Sequence, residues 1–182
     1  IGTSSTRRKA QLLRHDPSIN IKPLRGNLDT RIRRLVEGDF DAVVVAEAGL
    51  QRLGYRVTGQ RLPPRQFVPT ANQGTIAVVC RKDPALLQTL VPLDHQPTRK
   101  DVLLERGVME EVGGGCFTPM GIFCQGGHLT AEILSLDGTR RERLERDLTT
   151  EADARQVGRD LRVRGAELIE QAYVRLGRGN ER

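Results

Sequence analysis

Ile1-Gly2-Thr3-Ser4-Ser5-Thr6-Arg7-Arg8 is the stretch on which the reading of the fold turns. Its first five residues read as the end of a strand entering a turn, and Gly2-Thr3-Ser4-Ser5 is rich in N-capping residues. Residues 6–14 then read as a helix, with Ala10, Leu12 and Leu13 available for burial. Arg7 and Arg8 fall in its first turn, where the positive end of the helix disfavours them. An anion bound there reverses the sign, because free N–H groups and guanidinium groups then converge on one charge. A lone basic pair ordinarily faces solvent, but here the plan repeats. Residues 19–24 read as a short strand, Arg25-Gly26-Asn27 as a turn, and residues 29–37 as a helix burying Ile32, Leu35 and Val36. Arg31 lies in its first turn. Two strand–turn–helix units with arginine at the junction predict an α/β fold and a shared anion site at one edge of a sheet.

Outward from these units, residues 40–46 (Phe-Asp-Ala-Val-Val-Val-Ala) read as a strand buried on both faces. Residues 47–53 form a short predicted helix closed by Gly54, and Leu62-Pro63-Pro64 is a rigid break. Gln73-Gly74 leads into a predicted strand over residues 75–80, followed by a helix over 83–90. Composition shifts at residues 92–97, where a domain boundary is placed. Thr98 then caps a helix running to about Val112, with Asp101 completing an approximate capping box. Residues 121–125 lead to a Gly126-Gly127 turn, and a strand is predicted from 128 to 136. Asp137-Gly138 is a strong hairpin signal, returning through residues 139–146. Thr149 or Thr150 caps a final helical stretch to about Leu176, interrupted at Gly165. This half predicts an α+β domain, a small antiparallel sheet with helices packed on it.

The helix ending near Val112 delivers Gly113-Gly114-Gly115-Cys116-Phe117-Thr118-Pro119. Glycines leave space beside Cys116, and Pro119 stops the loop from re-entering a helix. Such a thiol has room for a bulky attachment; the plainer reading is a helix cap followed by a structural cysteine. The other cysteines, Cys80 and Cys124, complete an odd set of three with no C-x-x-C pair. A disulfide framework or a zinc site is therefore not expected. His15, His95 and His128 are scattered and read as solvated.

The net charge of +6 over 182 residues points to an anionic partner. Aromatic residues make up 3% of the chain and no nucleic-acid motif appears, so nucleic acid is disfavoured against a polycarboxylate or polyphosphate. No apolar run reaches membrane length and no signal-peptide pattern is present, so a cytoplasmic protein is expected. The sequence begins at Ile1 rather than Met and reads as a piece of a longer protein.

Taken in order, the motifs resemble those of the porphobilinogen deaminase (hydroxymethylbilane synthase) family. The matching residues are Gly2-Thr3-Ser4-Ser5-Thr6-Arg7-Arg8, Leu24-Arg25-Gly26-Asn27 with Thr30-Arg31, and Ala48-Gly49-Leu50 with Arg52-Leu53-Gly54. Leu62-Pro63-Pro64, Gln73-Gly74, and Gly114-Gly115-Cys116 with Pro119 and Gly121 follow. Asn72 stands where glycine often precedes Gln-Gly, and Gly113 replaces an acidic residue.

The resemblance implies a three-domain transferase that joins four porphobilinogen units, with release of ammonia, into hydroxymethylbilane. It implies a periplasmic-binding-protein-like α/β domain followed by a small α+β domain. Residues 1–70 correspond to most of the second domain, 71–91 to a segment returning to the first, and 92–182 to the third. The family's catalytic aspartate lies in the first domain, so no catalytic residue is assigned in this chain and activity of this piece alone is not expected. Residues 75–80 would lack their partner strands and expose an apolar edge.

By the same resemblance Cys116 carries a dipyrromethane primer through a thioether, with Arg7, Arg8, Arg25, Arg31, Thr3, Ser5 and Gln73 around it. Arg7, Arg25, Arg31 and Arg52 bind the acetate and propionate groups of the substrate and growing pyrrole chain. Planar guanidinium forks suit such carboxylates. No metal, nucleic-acid or membrane partner is implied, and the complete protein is expected to be a monomer. The alternative is an anion- or solute-binding α/β module without chemistry, which explains the arginines but not the Gly-Gly-Cys loop. Loss of function on changing Cys116 separates the two.

Overall fold

The computed structural model describes residues 1–113, 115 and 117–176. Among these residues it is a mixed α/β arrangement of seven α-helices and one three-stranded antiparallel sheet. Among the described residues no helix is long and apolar enough to cross a membrane.

The first part is built on helices with side-chain caps. Helix α1 (Thr6–His15) is capped by Ser5, whose hydroxyl accepts from Arg8 N. Helix α2 (Leu28–Val36) is capped by Asn27 accepting from Thr30 N. Ala10 and Leu12 of α1 are buried together with Gln11, and α2 buries Ile32. Val36, predicted on the buried side, is the last residue of the helix and is 81% exposed, while Leu35 is half-buried. Between the helices the chain is extended but barely paired. Single parallel bridges join Gly2 to Lys22 on one side and to Val43 on the other. The predicted strands over 19–24 and 40–46 are thus reduced to one bridge each, with the first residues of the chain in the middle. Burial on both faces does not follow for 40–46: Phe40 is buried, while Asp41, Ala42 and Ala46 are exposed.

Helix α3 (Glu47–Arg52) ends ahead of Gly54, whose φ of 70° takes the left-handed turn that closes it. Helix α4 (Pro84–Leu90) starts on Asp83, as predicted, with the carboxylate accepting from Ala85 N and Leu86 N. The strand predicted over 75–80 does not form. That segment is irregular, and Ile76 and Val79 are 81% and 92% exposed.

Helix α5 (Gln96–Val112) begins three residues ahead of its predicted start. His95 rather than Thr98 is the cap, its Nδ1 accepting from Thr98 N. Asp101 does not close a capping box. Its carboxylate instead accepts from Gly126 N and Gly127 N and fixes the turn between β1 (Met120–Gln125) and β2 (His128–Leu134). Strand β3 (Arg141–Asp147) pairs with β2, giving the order β1-β2-β3. Helix α6 (Glu151–Arg164) has a full capping box from Thr150 and Asp153, and Gly165 separates it from α7 (Ala166–Leu176).

The period-two alternation of β2 splits the sheet into two working faces. Leu129, Ala131 and Ile133 point to α5 and α6 and pack with Ile122, Cys124, Leu144, Leu104, Val108 and Leu161. On the opposite face Glu132 meets Gln11 of α1. Gly121 and Arg143 flank Glu132 across the strands. Gly121 is the gap that lets residues 67–69 cross this face. A Cβ there would lie 2.6 Å from Val68 O, and Ile122 N donates to Pro69 O at 2.8 Å. Glu105 of α5 ties the same crossing to the sheet, accepting from Asn72 N at 2.6 Å and Cys124 N at 2.8 Å. Burial raises the Glu105 pKa against the lowering effect of these two bonds. Asn72 takes a φ of 62°, which explains why glycine suits that position.

The hairpin at Asp137-Gly138 forms as predicted. Hydrogen bonds from the Ser135 hydroxyl, Thr139 N and the Thr139 hydroxyl hold the Asp137 carboxyl down at about 2. Its folded pKa lies below the ordinary 3.8, so it contributes stability above 3.8 that is lost as pH falls towards about 2. Asp137→Asn is expected to flatten acid unfolding in that window, read as Tm against pH, and to leave the slope above pH 5 unchanged.

Candidate functional site

One cleft of about 280 Å³ gathers Arg7, Arg8 and Gln11 of α1, residues 44–48, and Phe67, Pro69, Gln73 and Gly74. The Ser5 cap fixes where α1 begins, and so sets Arg7 and Arg8 side by side in the first turn. Arg7 Nη1 donates to Val68 O at 2.7 Å and to Gln11 Oε1 at 3.0 Å. Arg8 Nη1 donates to Val44 O at 2.9 Å. These are neutral acceptors; among the described residues neither guanidinium pairs with a carboxylate within salt-bridge distance.

Burial, then the charge of Arg8, pulls the pKa of Arg7 down to about 10. Arg8 is lowered by burial and then by Arg31. Both remain charged at neutral pH, and the lowered values mean that the fold carries this charge at a cost. A carboxylate entering the cleft would offset that cost.

The other sequence-predicted residues divide around this pair. Arg31 lies close enough to depress Arg8, with its Nε bound to Gly26 O at 3.0 Å. Thr3 is buried, and its hydroxyl accepts from Ser5 N at 3.2 Å. The Thr3 and Ser5 oxygens are thus used as acceptors in shaping the turn, which leaves each O–H to donate. Gln73 lines the cleft. Arg25 and Arg52 are exposed and do not line it. Cys116 lies outside the described residues. Beside it in sequence, Gly113 caps α5 with a φ of 65°, and Gly115 is exposed, with Phe117 3.5 Å from an added Cβ.

Sequence reasoning missed Gln11 and Glu47. Gln11, which lies between Ala10 and Leu12 on α1, is 4% exposed. Glu47 lies at the cleft and pairs with Arg61 at 2.5 Å. The i, i+4 spacing of Arg7 and Gln11 was the available signal.

The donor set fits a carboxylate-rich group. Among the described residues the Arg7 and Arg8 guanidinium groups face one cleft without a carboxylate partner. Among the same residues the buried Asn72 Oδ1 and Thr118 Oγ1 have no hydrogen-bond partner; the first can only accept and adds nothing to the donor set. Among the described residues no group of three or more His, Cys, Asp and Glu side chains comes together to hold a metal ion. Cys124 does not substitute for the loop cysteine. Burial, then Asp101, pushes its thiol up to about 12, so it stays protonated.

The structure is that of a mixed α/β protein in which two arginines on neutral acceptors line a cleft suited to an anion. Residues 1–89 match the family model described as porphobilinogen deaminase, dipyromethane cofactor binding domain. Residues 100–165 match that of porphobilinogen deaminase, C-terminal domain. The chain belongs to the porphobilinogen deaminase family. It is 43% identical to a probable porphobilinogen deaminase of Methanococcoides burtonii, over 97% of this chain and 60% of that protein. Identity to the probable enzyme of Archaeoglobus fulgidus is 44%, over 89% of this chain and 57% of the relative. The porphobilinogen deaminase of Nitratidesulfovibrio vulgaris is 42% identical, over 96% of this chain and 55% of that protein. The chain thus spans about 60% of the length of the first of these relatives.

Proposed function

We propose that this chain is the carboxylate-holding and primer-bearing part of a porphobilinogen deaminase. The observation that carries the reading is the pair Arg7 and Arg8, part-buried in one cleft and anchored on neutral oxygens. The whole protein would join four porphobilinogen units into hydroxymethylbilane with loss of ammonia. Cys116 would hold dipyrromethane covalently, and when bound that group supplies the free pyrrole α-carbon on which the chain grows.

This chain's residues bind and orient. Arg7 and Arg8 receive acetate and propionate carboxylates, and Arg31 reinforces the field at Arg8. Thr3, Ser5 and Gln73 add polar contacts, while Arg25 and Arg52 meet carboxylates nearer the surface. Phe67, Leu62 and Pro69 give the cleft an apolar wall on which a flat ring can lie. No residue of this chain is given the proton-transfer role.

In this reading residues 1–70 form most of a periplasmic-binding-like α/β domain, 71–91 a segment passing to another domain, and 92–182 the third. The parallel bridging of residues 1–3 between 22 and 43 supports the first assignment. The intact protein is taken as a cytoplasmic monomer, and this piece alone as inactive. A non-catalytic anion-binding module remains the second reading, favoured by the same arginines.

Intact mass and peptide mapping of the full-length protein separate the two. Two linked pyrrole units on the peptide carrying Cys116, absent from Cys116→Ser, are expected. A bare thiol in a fully active protein refutes the primer assignment.

A further inference from the structure

The chain contains a buried carboxylate that the cleft does not touch but that is wired to it. Glu132 of β2 is 1% exposed. Its Oε1 accepts from Gln11 Nε2 at 2.9 Å, and its Oε2 accepts from Arg143 Nη1 at 3.1 Å. Gln11 Nε2 also donates to Val68 O at 2.7 Å, which leaves Gln11 Oε1 to accept from Arg7 Nη1 at 3.0 Å. The amide can sit only one way round: turned over, its oxygen would face a carbonyl and a carboxylate. Both hydrogens of Arg7 Nη1 are then engaged, one on Val68 O and one on Gln11. The remaining edge of the guanidinium is presented to the cleft.

We propose that Glu132 is a positioning residue that orients Arg7 through the Gln11 amide and thereby sets the cleft's affinity for a carboxylate. Its negative charge also favours the charged form of Arg7. The carboxylate is itself held by Arg143, whose Nη2 donates to Arg65 O. A side chain of the sheet therefore governs an arginine on a helix more than a hundred residues away, through a bond that spans 121 positions of sequence between Gln11 and Glu132. The functional half of the proposal rests on the reading of the cleft given above.

Two measurements test it separately. The first is the ¹H–¹⁵N spectrum of arginine side chains in the full-length protein before substrate is added, with Arg7 assigned by loss of its signals in Arg7→Lys. Gln11→Met and Glu132→Val are expected to shift the Arg7 guanidinium signals and speed their rotation, with Arg8, anchored on Val44, unmoved. Glu132→Gln keeps an acceptor for Gln11 and is expected to leave Arg7 near its original position. The second is the KM for porphobilinogen in the full-length protein. Either disrupting variant is expected to raise it about tenfold with kcat within about twofold, and the double variant no further, because both act through one path. Should Glu132→Val fail to fold, because it strands Arg143, the paired variant Glu132→Val with Arg143→Met, which removes both charges, carries both readouts. Unchanged Arg7 signals in the disrupting variants, or additive effects in the double variant, overturn the proposal. Shifted Arg7 signals with unchanged kinetics uphold the positioning and refute the carboxylate reading of the cleft.

Discussion

Arg7→Met in the full-length protein is expected to lower kcat/KM for porphobilinogen by at least about 10²-fold while leaving the fold intact. Arg7 spends one nitrogen on Val68 O and Gln11 and presents the rest of its planar fork to the cleft. Each charge-assisted hydrogen bond to a ligand carboxylate is worth about 1.5–3 kcal/mol, and removing two of them corresponds to roughly 10²–10⁴ in rate. The stability change should be small, because the lowered pKa of Arg7 marks a group whose charge the fold holds at a cost. Arg7→Lys should recover only a small part of the activity, since an ammonium cannot bridge Val68, Gln11 and a ligand carboxylate together. Porphobilinogen turnover with matched thermal unfolding curves is the measurement. A value within about threefold of the unsubstituted protein would remove Arg7 from the site.

Gly158→Val is expected to destabilise the C-terminal unit by about 3 kcal/mol, lowering Tm by roughly 10 °C. A Cβ at Gly158 of α6 would stand 2.7 Å from Val108 O and 2.6 Å from Glu111 Cβ on α5. One of those atoms is backbone and cannot rotate away. Gly107 of α5 faces Ala154 in the same way, so two glycines allow the two helices to approach closely. Pushing them apart opens the core formed with Leu129, Ala131 and Ile133. Arg143 and Glu132 lie on the other face of the sheet, so partly folded protein should lose the α5–α6 packing first. Differential scanning calorimetry reads the shift; a Tm change under about 2 °C would show that the helices can separate freely.

Helices were the legible part of this sequence because their signals are local. Ser5, Asn27, Asp83 and Thr150 cap where capping chemistry says they should, and Gly54 and Gly165 stop helices as expected. The β1–β2–β3 meander was readable from Gly126-Gly127 and Asp137-Gly138 for the same reason. Extended segments of the first part were overestimated. A strand needs neighbours, and residues 40–46 find only Gly2, while residues 75–80 pair with no strand among the described residues. Arg7 and Arg8 were visible as a basic pair at a helix start, but their partners were not. Val68, Val44 and Gln11 contribute a carbonyl or an amide, and a carbonyl leaves no trace in residue type. His95 escaped notice as a cap because histidine is an uncommon choice there.

The seam between the two halves has a use in protein engineering. Its polar joints include Gln11 to Glu132, Arg143 to Arg65, Asn72 to Glu105, Ile122 to Pro69 beside the gap at Gly121, and Arg14 to the Gly138 and Thr139 carbonyls. Three of these joints use backbone carbonyls, which any sequence supplies. A chimaera that grafts residues 92–182 onto the front part of a homologue therefore needs only a short set of side chains to travel as a group. Gln11 with Glu132 and Gly121 with a matching residue 68 are the pairs to exchange together. Crossovers that split them should give chains that fold as two units yet dock poorly.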